Sequence, residues 1–165
     1  MHPIDFFAAA ERHFTQMVEN LQSVTTENHL DLLEHNLLEE SRELARLLLQ
    51  GHIDSRGNGD VGTVVISAEQ VKLNHRRNIQ RSLYTVFGSI RLNRVGYFRP
   101  GHHNLFPLDA SLNLPHGLFS YGLQKMLAQE IIKGSFDESL LTIERLTGVK
   151  IGKRQAIALA FAMCF

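Results

Sequence analysis

Apolar residues return at helical spacing over the first fifty positions. Between residues 3 and 21, Ile4, Phe7, Ala8, Phe14, Met17, Val18 and Leu21 recur at that spacing. Pro3 suits the first helical turn, where its missing N–H costs nothing. From Leu30 to Gln50 the pattern is stronger. Leu30, Leu33, Leu37, Leu44 and Leu48 form one stripe, and Gly51 supplies a stop. Glu34, Glu39, Glu40, Arg42, Glu43 and Arg46 occupy the other faces, while Leu32, Leu38, Leu47 and Leu49 widen the stripe beyond what one neighbour needs. Two such helices in sequence predict a helical hairpin or a coiled-coil-like dimer arm. An ordinary helix packed on its own domain fits the pattern equally well.

The period then changes. Residues 51–63 hold four glycines in a spacing that is not that of a phosphate loop, and they read as a mobile linker. Val64-Val65-Ile66 is a short strand. Ser82 to Phe87 is rich in β-branched and aromatic residues. Gly88-Ser89 then reads as a two-residue hairpin turn with glycine first. From Ile90 to Val95 apolar and polar residues alternate, which places Ile90 and Leu92 on one face and Arg91 and Asn93 on the other. Arg99-Pro100-Gly101 ends the pairing. Residues 100–118 read as an extended strap that docks apolar side chains, because Asn, Pro and Gly interrupt any helix there.

Helical signals resume at Ser120, which caps a helix running to Lys133, with Gly134 as its stop. Ser135-Phe136-Asp137-Glu138 is a capping box. Its helix runs to about Thr147, with Leu140, Ile143 and Leu146 or Thr147 facing inward and Gly148 beyond. Lys153-Arg154-Gln155 opens the last helix. The fold class is therefore α+β. It comprises an acidic helical arm (1–50), a Gly-rich linker (51–70), a basic β-hairpin and strap (71–118), and a three-helix, helix-turn-helix-like region (119–165). The last helix stops inside the apolar run Ala156 to Phe165, so this bundle reads as cut short.

Composition narrows the classes. Hydrophobic residues make up 44% and charged residues 21% of 165, which suits a folded chain. The longest apolar run has about half the length of a membrane span, and no secretory leader is visible. A single cysteine, Cys164, leaves no disulfide framework and no cysteine-based zinc site, so a cytoplasmic setting is expected.

The net charge of zero conceals an asymmetry. Residues 1–50 hold nine acids against three bases, a net −6, whereas residues 71–105 hold Lys72, Arg76, Arg77, Arg81, Arg91, Arg94 and Arg99 and no acid. Such a chain suggests an acidic interaction arm and a polyanion-binding region, since arginine forks onto phosphate. Charges that merely cover a surface are the alternative.

A helix, a glycine turn and a helix opening with Lys-Arg-Gln form the helix-turn-helix pattern. Lys153 and Arg154 are placed to meet phosphate or guanine, Gln155 an adenine edge, and Lys150 the backbone. Two ordinary packed helices with a solvated basic turn would carry the same pattern.

Four ordered fragments add a resemblance. Arg77-Asn78-Ile79-Gln80-Arg81-Ser82-Leu83-Tyr84-Thr85-Val86-Phe87-Gly88 and Ile90-Arg91-Leu92-Asn93-Arg94-Val95-Gly96-Tyr97 are followed by Pro107-Leu108-Asp109-Ala110 with Leu112-Asn113-Leu114-Pro115. Ser135-Phe136-Asp137-Glu138 and Leu146 to Gln155 complete the set. Together they resemble the N-terminal part of bacterial insertion-sequence transposases of the IS-Kra type, over residues 76 to about 160. The resemblance implies recognition of the terminal repeats of a mobile element. Charge and position in the elements make Arg76, Arg77, Arg81, Arg91, Arg94, Arg99, Lys150, Lys153, Arg154 and Gln155 the residues expected to contact the DNA, the ribbon arginines on its backbone and Lys153, Arg154 and Gln155 on base edges. In such transposases the catalytic carboxylates, with their two Mg²⁺ ions, belong to a ribonuclease-H-like domain beyond this region. No residue here is matched as catalytic, and no cofactor is expected. The partner implied is double-stranded DNA, with self-association or pairing with full-length transposase through residues 3–50. A non-catalytic regulator of transposition and a non-functional gene remnant are the alternatives.

Other chemistry is sparse. His102 and His103 with Asp109 and His116 form a conceivable metal set, but adjacent histidines on an extended chain point apart, and solvated loop histidines are the plainer reading. Glu39, Glu40 and Glu43 form a helix face, and Cys164 is an inert small hydrophobe.

Overall fold

The computed structural model describes residues 5–23 and 29–163. Pro3 and Ile4 of the first stripe, and Cys164 with Phe165, lie outside the described residues. Helix α1 spans Ala8–Ser23 and helix α2 spans Leu30–Ser55. They pack against each other, with His13 Nε2 of α1 lying 3.1 Å from the Glu40 carbonyl of α2. Gly51 does not stop α2, which continues for another turn. It is buried where α2 meets the chain before α1, and a Cβ there would stand 2.5 Å from the Phe6 carbonyl oxygen. The glycine is thus a point of close approach inside a helix.

Two short strands, β1 (Val65–Ile66) and β2 (Lys72–Leu73), pair antiparallel. The long ribbon follows, with β3 (His75–Thr85) against β4 (Gly88–Phe98). The hairpin turn is Val86-Phe87, two residues before the position expected from the sequence. The Thr85 hydroxyl, which is buried, donates to the Gly88 carbonyl at 2.9 Å and accepts the Phe87 N–H at 3.2 Å. Val86 and Phe87 keep negative φ, and Gly88 takes the positive one at 119°, so the glycine follows the turn instead of opening it.

The ribbon changes its buried side along its length. Near the turn, Leu83, Ile90 and Leu92 pack with Ile53 and partly with Leu49, Leu112 and Leu114. Near its open end the other face is covered: Val95 and Tyr97 pack with Leu73, Val65, Val71 and Leu105. Ile90 and Leu92 do share the buried face, and Arg91 and Asn93 are exposed on the other.

The strap is not wholly extended. Pro107–Ser111 forms the short helix α3, with Pro107 at the first turn, where the residue is preorganised for helix instead of breaking it. Helix α4 (Tyr121–Lys133) is capped by Ser120, α5 (Phe136–Thr147) opens on the Ser135/Glu138 capping box, and α6 spans Lys153–Met163. The three pack together around Phe119, Leu123, Leu127, Ile143, Val149, Ile151 and Ala156. Thr147 faces inward, whereas Leu146 is exposed. The chain is thus α+β, with two small antiparallel sheets among the described residues. No described helix is long and apolar enough to cross a membrane.

Candidate nucleic-acid interface

The arginines of residues 71–105 divide into two groups. Arg81 and Arg94 are turned inward. Their side chains are only 10% and 11% exposed, and both reach Asp109 of α3. Arg81 also donates to the Pro115 carbonyl at 2.6 Å and to the Gly117 carbonyl. The Arg94 guanidinium lies 3.9 Å from the Phe106 ring centroid. One carboxylate between two guanidiniums and an aromatic face thus holds the strap to the ribbon. Burial pulls the Arg94 guanidinium below its ordinary pKa, Asp109 opposes that shift, and the Arg81 charge adds to it. Arg94 Nε and Asp109 Oδ1 are buried without a hydrogen-bond partner among the described residues.

Asp109 is the one acid between residues 70 and 129. That isolation, beside apolar Leu108, was the available signal of a structural partner for the arginines. Engaged in this way, Asp109 leaves the histidine set without its carboxylate, and His102, His103 and His116 are exposed. No group of three or more His, Cys, Asp or Glu among the described residues is arranged to hold a metal ion.

The second group faces solvent. Arg77, Arg91 and Arg99 are exposed, and Arg99 donates to the Lys72 carbonyl at 3.4 Å. Arg76 is exposed but pairs with Asp60 at 2.8 Å. That pair belongs to a further arrangement: the Gly-rich segment is docked. Asn58 O accepts the Val95 N–H at 2.8 Å, and the hydroxyl of buried Tyr97 lies 3.0 Å from Asp60 Oδ1, 2.8 Å from the Gly62 carbonyl and 3.0 Å from the Val61 N–H. A tyrosine oxygen buried this deeply needs partners, and the glycines let the backbone supply them. The Gly62 N–H, followed by the Tyr97 hydroxyl, lowers the pKa of the Asp60 carboxyl, and the charge of Arg76 adds to this.

At the helical end, α5 stops at Gly148 in the left-handed conformation (φ 69°), and the turn leads to α6. Lys150, Lys153, Arg154 and Gln155 are all exposed there. Lys153 pairs with Asp137 at 2.8 Å, and Gln155 Oε1 accepts the Gly152 N–H at 3.3 Å, closing the first turn of α6. Lys150 and Arg154 make no ion pair among the described residues. Arg42 of α2 donates to the Arg145 carbonyl in the last turn of α5 at 3.1 Å, which joins the acidic arm to the helical end and suits the negative pole of that helix. Comparison with family models, with curated proteins and with solved structures finds no match.

Proposed function

We propose that this chain is the DNA-binding region of an insertion-sequence transposase of the IS-Kra type, which engages the terminal repeats of its element. The observation that carries the reading is the α5–turn–α6 unit. In it Lys150, in the turn, and Arg154, in the first turn of α6, are exposed and make no ion pair among the described residues, which supports a helix-turn-helix unit that holds a duplex. Arg77 and Arg99 of the ribbon supply further phosphate contacts, and Arg91 adds a further exposed charge towards the duplex. Arg81 and Arg94 serve the fold instead. The exposed Leu30, Leu32, Leu37 and Leu38 of α2 and Phe14 of α1 support an assembly role for the arm, through a second copy of the chain.

The test is binding of a terminal-repeat duplex to the full chain across a salt series. Five exposed cations predict a loss of several hundred-fold, to order of magnitude, for a fourfold rise in salt. Affinity that does not change with salt would overturn the reading.

A further inference from the structure

We infer that the sequence discrimination of this DNA-binding region resides in the exposed polar face of the ribbon and not in the first turn of α6. The inference rests on the duplex-binding reading. On this face Gln80 stands opposite Asn93 and Ser82 opposite Arg91, with Asn78 one step further along β3. All five are exposed, and Gln80 Nε2 donates to Asn93 Oδ1 at 3.2 Å across the strands. The opposite face of the same stretch is buried in the core through Leu83, Ile90 and Leu92, so the ribbon is rigidly backed and presents only one side.

The chemistry of that side is specific. Asn and Gln present a paired donor and acceptor that match adenine, Arg matches guanine, and a two-stranded ribbon fits the major groove. The outer edge of β3 is open too. Beyond Tyr84, which pairs with Leu118 and Ser120, the backbone groups of Asn78, Gln80 and Ser82 that face away from β4 have no backbone partner among the described residues. Such groups can meet phosphate oxygens.

Charge selects the partner. Residues 71–105 carry no acid, and exposed Arg77 and Arg99 lie towards the open end of the ribbon. The neighbouring wall of α2 holds the paired Arg46 and Glu43 together with Asp54, so a duplex is expected to approach from the β3 side. At α6, by contrast, Lys153 and Gln155 are engaged within the protein.

The experiment is selection of bound sequences from a randomised duplex DNA pool by the full chain, followed by affinity measurements on the enriched and a scrambled duplex. The wild type should enrich a sequence. The variant Asn78→Thr/Gln80→Thr/Asn93→Thr should keep affinity for scrambled duplex within about threefold and lose about tenfold or more of the preference. Arg91→Gln, a single exposed change, should lose part of the preference even if the triple variant does not fold. Arg154→Ala should weaken both duplexes equally.

Preference retained in both ribbon variants, or a wild type that binds duplex without enriching any sequence, overturns this inference and leaves the duplex-binding reading standing. Failure to retain any duplex at low salt overturns both, as does enrichment from a parallel single-stranded RNA pool alone.

Discussion

The side-chain amide of Gln50 holds both backbone groups of Arg91: its Nε2 donates to the Arg91 carbonyl at 2.9 Å, and its Oε1 accepts the Arg91 N–H at 2.8 Å. An edge strand exposes such groups to stray pairing. Here one side chain of α2 satisfies the edge of β4 and fixes the helix against the ribbon. Gln50→Leu removes both bonds while keeping the side-chain size. It should lower stability by about 1 kcal/mol, read as a fall in the urea midpoint at unchanged slope. An unchanged midpoint would show that water replaces the amide at no cost.

The Asp109 contacts are expected to weigh more. Asp109→Asn leaves two guanidiniums facing each other with little water, and should cost about 3 kcal/mol in the same assay. Arg77→Gln, on an exposed strand position, should stay within about 0.5 kcal/mol of wild type. If the two variants melt alike, Asp109 is not the clamp described.

Asp60 makes a prediction in pH. Its carboxyl has a lowered pKa in the folded chain, so its contribution is present above the ordinary carboxylate value of about 3.9 and is lost as pH falls through the folded one. Asp60→Asn should therefore melt below wild type at neutral pH, and the gap should close in strong acid. A gap that persists at about pH 2 would place the effect elsewhere than in the charge.

The arm makes a prediction in mass. Leu30 is 71% and Leu38 60% exposed. Light scattering should find the full chain as a dimer or larger, and Leu30→Ser/Leu38→Ser should shift it towards monomer with its helical circular dichroism retained. A strictly monomeric wild type would end the assembly role.

The helices were legible where local signals coincide. The capping box at Ser135, the cap at Ser120 and the stops at Gly134 and Gly148 lie where propensity and patterning place them, since each depends on neighbours within four residues. The alternation from Ile90 to Asn93 also gave the buried face of β4 near its turn.

Misreadings arose where a distant partner decides. Gly51 looks like a stop until the chain at Phe6 is packed on it. Gly88-Ser89 looks like a turn until the Thr85 hydroxyl is seen to close the loop two residues earlier. The Gly-rich segment looks mobile until Tyr97 is placed beneath it.

For the candidate interface, the sequence by itself determined which residues carry positive charge and where the helices that could present them begin. Only the tertiary structure decided which charges are free. Arg81 and Arg91 are the same residue type on paired strands, yet one is spent on Asp109 and the other faces water. Coulombic attraction and desolvation depend on distance and burial, and these are set by how the strap folds back over the ribbon, not by neighbours along the chain.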